Sequence, residues 1–289
     1  MGELRWPFVG AEVLAARAIP ERAMRNSYEQ LYPGVYVPRG ADPSGPQRAE
    51  AAWLWSKRRG VVAGQSAAAV LGSKWVDGRR PAELIHDNRK SPPMMVVRSE
   101  GLRSTEVIDV GGIAVTTPSR TAFDIGRHTT SRIDAVKRLD ALANATAVTN
   151  SDVRALAELH PGVRGLARLD TLLPLMDGGA ESPQETAARL ALIDGGLPAP
   201  TTQFKVFGDH GQFVGRLDMA YETVKVGIEY DGPQHWTDPA VRQRDIDRLF
   251  ELTALGWFII RVSRDLLRYR RATYVARVES ALRERGFVW

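Results

Sequence analysis

Cysteine is absent from the 289 residues, which excludes disulfides, thiolate metal sites and cysteine nucleophiles together. No apolar run approaches the roughly 18 residues a membrane helix needs. The opening MGELRWPFVGAEV lacks the charged-then-apolar layout of a secretory signal. Histidine is scarce, and His86, His128, His160 and His210 are scattered without ligand spacing. No internal repeat or low-complexity tract is present. What remains is the composition of an ordinary globular protein, 44% hydrophobic and 25% charged. A cytoplasmic, membrane-free protein of more than one domain is expected.

The net charge is +5, and its placement says more than its size. From position 261 onward there is no lysine, and Arg261, Arg264, Arg268, Arg270, Arg271, Arg277, Arg283 and Arg285 are balanced only by Asp265, Glu279 and Glu284. The last stretch therefore carries the whole net charge. Such a basic helix suits a polyanionic partner, and it equally describes the solvated face of a terminal helix.

Turn-rich Met176-Asp-Gly-Gly-Ala-Glu181 separates two helical patterns. Three regions are expected, 1–45, 46–177 and 180–289, of α/β class (α+β overall). In the first, Val9 to Ala18 reads as a helix, and Pro20 opens a second running to about Ser27. Residues 31–38, LYPGVYVP, alternate as a hairpin would. Two short helices and a ribbon describe a small winged helix-turn-helix, with Arg22 and Arg25 on the candidate recognition helix, or else a purely structural subdomain. The middle region reads as two helices within 47–75, with Trp53 and Trp55 in the core. Short strands then lead to Thr116, and helices follow over 119–126, 131–144, 150–159 and 163–175. LYPGVYVP, the helix GQSAAAVLG at 64–72 and the junction GIAVTTPSRTAFDI at 112–125 resemble the AbiEi family of antitoxins over roughly residues 5–175. That resemblance implies a DNA-binding front end, autoregulation and a nucleotidyltransferase toxin as partner.

The C-terminal region reads helix 183–194, strands 201–207, 212–221 and 224–231, helix 240–255, strand 257–262 and helix 264–285, an αβββαβα order. Its most informative stretch is Val226 to Trp236, which places Glu229 and Asp231, then His235, at the end of a strand stopped by Gly232 and Pro233. Taking Glu222-Thr223 as a two-residue turn sets Asp218 opposite Gly227 and Arg216 opposite Glu229. Asp218, Glu229 and Asp231 then share one face, with the first two roughly 7–8 Å apart. Like charges so close call for a cation.

Ser182-Pro-Gln-Glu185, Arg216-Leu-Asp218, the run from Glu229 to His235, Arg244-Asp-Ile-Asp-Arg248 and Gly256 to Val262 resemble, in that order, the PD-(D/E)XK nucleases. The likeness is to a branch similar to very-short-patch-repair (Vsr) endonucleases. The resemblance implies a restriction-endonuclease-like domain in which Asp218 and Glu229 hold Mg²⁺ (or Mn²⁺). Glu185 completes the shell or positions a water, and His235 moves a proton. Asp231 stands where the superfamily has a lysine, and Lys225, about 13 Å from Glu229, is too far to replace it. Arg216, Arg244, Arg248, Arg261 and Arg264 are the candidate DNA contacts of this domain. Each residue also has a plainer role. Ser182 to Glu185 forms a capping box, Asp231-Gly232 a turn, His235 a packed histidine, and Arg244, Asp245 and Arg248 surface ion pairs.

The leading expectation is an Mg²⁺-dependent endonuclease in defence or repair, with the front half choosing or holding the DNA and double-strand cleavage calling for a homodimer or two successive nicks. The alternative is a DNA-binding regulator or antitoxin on an inactive nuclease fold. A ribonuclease is a third reading, because a carboxylate site does not distinguish the sugar.

Overall fold

The computed structural model describes residues 4–88, 90–232 and 239–289. The chain divides into two compact units, Met1–Gly178 and Gly179–Trp289. Helices and mixed sheets alternate in both, so the α/β class expected from sequence is observed.

Unit 1 opens with β1 (Phe8–Val9), α1 (Gly10–Ala15), α2 (Glu21–Ser27), β2 (Tyr28–Tyr32) and β3 (Val35–Pro38). The first helix is shorter than the apolar pattern suggests, because Arg17 adopts a left-handed φ of 52° just past its end. β2 and β3 form the anticipated ribbon, turning through Gly34 at φ 81°, and β1 adds a third strand through Phe8↔Tyr36 and Val9↔Val35. Phe8, Ile19 and Met24 are buried with Tyr28 and Tyr36, which fastens both helices to the ribbon. The Arg39 side chain donates to the carbonyls of Arg25 (3.0 Å) and Asn26 (3.3 Å), capping the end of α2 from the ribbon side.

The rest of unit 1 runs α3 (Gly45–Trp55), β4 (Val61–Val62), α4 (Gly64–Val70), β5 (Ala82–Ile85), β6 (Met95–Arg98), β7 (Val107–Val110), β8 (Ile113–Thr116), α5 (Pro118–His128), α6 (Arg132–Thr146), α7 (Asn150–Glu158) and α8 (Leu166–Leu172). Five strands pair in the order β6-β5-β4-β8-β7. Gly111 and Gly112, both at positive φ, close the β7–β8 hairpin. Trp53 and Trp55 pack against the core half-buried rather than lying within it. The last expected helix breaks into α8 and a 3₁₀ turn over Leu173–Leu175, where Pro174 removes a backbone donor.

Unit 2 runs α9 (Pro183–Asp194), β9 (Thr201–Phe207), β10 (Phe213–Tyr221), β11 (Val226–Asp231), α10 (Pro239–Ala254), β12 (Phe258–Ser263), α11 (Arg264–Tyr269) and α12 (Arg271–Glu284). The αβββαβα order is the expected one, with the terminal helix divided at Arg270. The sheet order is β12-β11-β10-β9, an antiparallel meander to which α10 adds β12 in parallel. Val226 and Ile228 of β11 bury completely against α9 and α12. Alternation turns Gly227, Glu229 and Asp231 to the opposite face, where Leu252 of α10 joins a second core with Leu217 and Trp257.

Candidate functional site

The β10–β11 register differs from the one expected. The turn is four residues long, Glu222–Lys225, because Lys225 closes it in a left-handed conformation (φ 50°) and fastens its Nζ to the Leu255 carbonyl at 2.9 Å. Lys225 is thus a turn residue, not a strand residue, and Gly227 pairs with Ala220 instead of Asp218. The even length still keeps Asp218 beside the Glu229 segment. Cα pairing stops at Met219↔Ile228, and the Asp218 carboxylate accepts the Tyr230 backbone N–H at 2.7 Å. Arg216 lies not opposite Glu229 but opposite Lys205 of β9, and it donates twice to Glu181 (2.8 and 2.9 Å).

Asp218, Glu185 and Glu229 form an acidic neighbourhood. Burial pushes the Asp218 carboxyl up, and the charges of Glu185 and Glu229 push it further, to about 6 against the pull of the Tyr230 N–H. Glu229 gives both oxygens to Arg248 of α10, at 2.5 and 3.1 Å. Arg248 also reaches Asp245 at 2.6 Å, and Asp245 in turn accepts from Arg261. The Glu229 hydrogen bond holds the Arg248 guanidinium firmly charged. Burial raises Asp245, but the bonds from Arg248 and Arg261 outweigh it and keep that carboxyl low. Glu185 accepts from Ser182 Oγ (2.7 Å), the Glu181 N–H (2.9 Å) and Gln203 Nε2 (3.0 Å), while Ser182 Oγ caps the helix by accepting the Glu185 N–H (3.2 Å). The reciprocal bond goes to Glu181 instead of Ser182, so the cap forms without the full box. Asp231 ends β11 opposite Ser263, and His235 lies outside the described residues.

A hard divalent cation needs about six oxygens. Of these three carboxylates, Asp218 Oδ1 alone has no partner among the described residues. Among those residues no group of three or more His, Asp or Glu is placed to hold a metal. Among the described residues, Arg248 takes both oxygens of Glu229 and the helix start holds Glu185, so these carboxylates as arranged do not fit Mg²⁺ or Mn²⁺.

Exposed cations are found elsewhere. On α2, Arg22 is exposed and has no ion pair among the described residues, while Arg25 makes an exposed i,i+4 pair with Glu21 at 2.9 Å. Arg244 and Arg264 are also exposed. The C-terminal arginines are less available than their count suggests. Arg271 binds Asp194, Arg283 binds Glu279, and Arg285 donates to the Val224 and Gly256 carbonyls.

Comparison with known proteins gives one family match, within unit 1, and two similar chains. The family model for the AbiEi antitoxin C-terminal domain matches residues 46–175. Two uncharacterised Mycobacterium tuberculosis proteins, from strains CDC 1551 and H37Rv, are each 33% identical over 190 residues, covering 66% of this chain and 68% of the relative. The chain belongs to the family of these mycobacterial proteins, and its residues 46–175 are an AbiEi domain. No solved structure matches it. Nothing in these comparisons extends the nuclease resemblance to unit 2.

The AbiEi domain also holds a charged cluster that sequence reading missed. Arg120 of α5, 1% exposed, donates to Asp124 (3.1 Å), Glu106 (2.5 Å), Glu100 (3.1 Å) and the Gly101 carbonyl (3.0 Å). Arg127, two turns further on, binds Glu100 (2.6 Å) and Asp124 (3.0 Å) and lies 4.4 Å over the Phe123 ring. His160 Nε2 is 2.6 Å from Glu106, and His128 Nε2 is 3.1 Å from Glu100. These two histidines, which look scattered in the sequence, meet here. Burial works against Glu100 and Glu106, yet the histidine and arginine bonds prevail and hold Glu100 down at about 2 and Glu106 below its ordinary value. Burial wins at Asp124, which is raised despite Arg120. The one local hint was Arg120-x-x-x-Asp124, which reads as an ordinary helix pair.

Proposed function

We propose that the protein is a DNA-binding regulator of the antitoxin type, with unit 2 serving as a nuclease-like scaffold without turnover. The observation that carries this reading is the AbiEi antitoxin domain at 46–175, directly behind two short helices and a ribbon that expose Arg22 and Arg25. Those arginines would meet phosphates, fixing register on the duplex. A nucleotidyltransferase toxin is the partner the resemblance suggests. In unit 2 the Arg248 fork takes the place on Glu229 that a metal ion would need. The test is a mobility-shift and footprinting assay of the full chain on DNA upstream of its own coding region. Protection of a discrete site, weakened by Arg22→Ala/Arg25→Ala, is the expected result. Absence of any protected site would overturn the reading.

A second reading, an Mg²⁺-dependent endonuclease, is favoured by the gathering of Glu185 and Glu229 around Asp218. It requires Arg248 to release Glu229. Metal-dependent cutting of supercoiled, branched or single-stranded DNA, or of RNA, that is abolished in Asp218→Ala/Glu229→Ala would establish it. A double-strand cut would imply a dimer or two successive nicks.

A further inference from the structure

The AbiEi domain contains a cavity of about 1080 Å³ bounded by α5, the segment from Glu100 to Arg103 and the loop leading into α8. Among the described residues five arginines line it, Arg103, Arg120, Arg127, Arg164 and Arg168, against one carboxylate, Glu100. The inner pair, Arg120 and Arg127, is matched by Glu100, Glu106 and Asp124. The outer three have little of this, the one ion pair among them being a long contact of Arg103 with Glu106. Arg168 rests on the Arg127 carbonyl (3.2 Å), and Arg103 rests on the Leu159 carbonyl with Glu106 no nearer than 3.9 Å. Arg164 is exposed and carries no ion pair among the described residues.

A second observation points the same way. Arg127, 6% exposed, leaves its Nε without a hydrogen-bond partner, and so does His128 at Nδ1, both on the cavity wall. Buried polar atoms in folded proteins are normally satisfied, so a wall with two orphans is incomplete as it stands. Leu102, Leu159 and Val163 add apolar lining to the same cavity. Arginine forks match phosphate oxygens two at a time, and a concave cationic wall concentrates anions. A cavity of this size suits a ligand with an anionic end and a compact apolar body.

We propose that this cavity binds a phosphorylated small molecule of about nucleotide size. Its phosphate oxygens meet Arg103, Arg164 and Arg168 at the mouth, and its body lies along Leu102, Leu159 and Val163. The site uses none of the residues invoked for DNA binding, so either proposal can fail without the other.

Isothermal titration of the full chain with ATP, GTP, AMP, pyrophosphate, inorganic phosphate and adenosine tests it. Saturable binding of at least one phosphate probe, weakened about tenfold or more in Arg164→Gln/Arg168→Gln, is expected. Arg164→Glu, at an exposed position, is the second variant, and unchanged melting temperatures show that both remain folded. A nucleotide binding more tightly than pyrophosphate is expected; pyrophosphate binding equally or more tightly would overturn the role given to Leu102, Leu159 and Val163. No binding by any probe, equal affinity in the double variant, or adenosine binding as tightly as its phosphates would overturn it. So would duplex DNA as the sole ligand sensitive to these substitutions.

Discussion

Asp218→Asn should make the protein more stable at neutral pH. In the folded chain the Asp218 carboxyl is pushed up to about 6, whereas an unfolded aspartate titrates near 4. The folded state therefore holds the proton longer, and folding gains stability as pH falls from above 6 towards 4. Above pH 6 the ionised carboxylate is carried at a cost. Two pH units correspond to about 3 kcal/mol, which solvent access at the strand end reduces to an expected 1–2 kcal/mol. Asparagine removes the charge while its side-chain oxygen still accepts the Tyr230 N–H. Urea denaturation of both proteins between pH 5 and 8 checks this, with amide exchange in β10 and β11 locating the gain. The variant should lead at pH 7.5, and the gap should shrink towards pH 5. A variant that is less stable at pH 7.5, or a gap independent of pH, refutes the reasoning. Mg²⁺ stabilising the wild type but not the variant would instead put a cation on Asp218 and favour the nuclease reading.

Arg248→Ala strands Glu229 and leaves Asp245 to Arg261, and should cost about 2 kcal/mol by chemical denaturation. Arg248→Lys should recover only part, since one ammonium cannot bind both Glu229 oxygens as a planar fork does. Arg120→Met leaves Asp124 to Arg127, Glu100 to Arg127 and His128, and Glu106 to His160 and a distant Arg103, and a loss of about 3–5 kcal/mol should appear as rapid proteolysis of the AbiEi domain. Gly64→Ala places a methyl 2.5 Å from the Glu83 carboxylate at a φ of 54°, which should lower stability by at least about 1 kcal/mol in a thermal melt. Arg22→Ala/Arg25→Ala should reduce the salt slope of DNA binding by about 1 for each phosphate contact removed, with the melting temperature unchanged.

The course of unit 2 was readable because its cues are local. Period-two strands, the Gly232 stop, the Ser182 cap and Gly256 after α10 each act within a few residues. The β10–β11 register was not readable. It rests on Lys225 in a left-handed conformation, which glycine or asparagine would have announced and lysine does not. The acid neighbourhood survived that error because a turn of two and a turn of four share parity. Its meaning changed, however. That Arg248 would turn inward onto Glu229 instead of outward to phosphate depends on how α10 packs, which no spacing encodes. The cluster around Arg120 lay furthest from view. Its partners come from Glu100, Glu106, His128 and His160, which only the tertiary fold gathers.

The centre of the AbiEi sheet is also its thinnest part. β4 contributes two residues, and its contact with β8 is the single Val62↔Val115 pair, 53 residues apart in the chain. On one side lie β5 and β6, on the other the β7–β8 hairpin, and β4 alone joins them. Until Val115 arrives, each half-sheet presents an open edge, whereas the β2–β3 ribbon and the β9–β11 meander close on near neighbours. Assembly of the domain thus converges on one late seam. Slow folding, and pairing between nascent chains, should concentrate there.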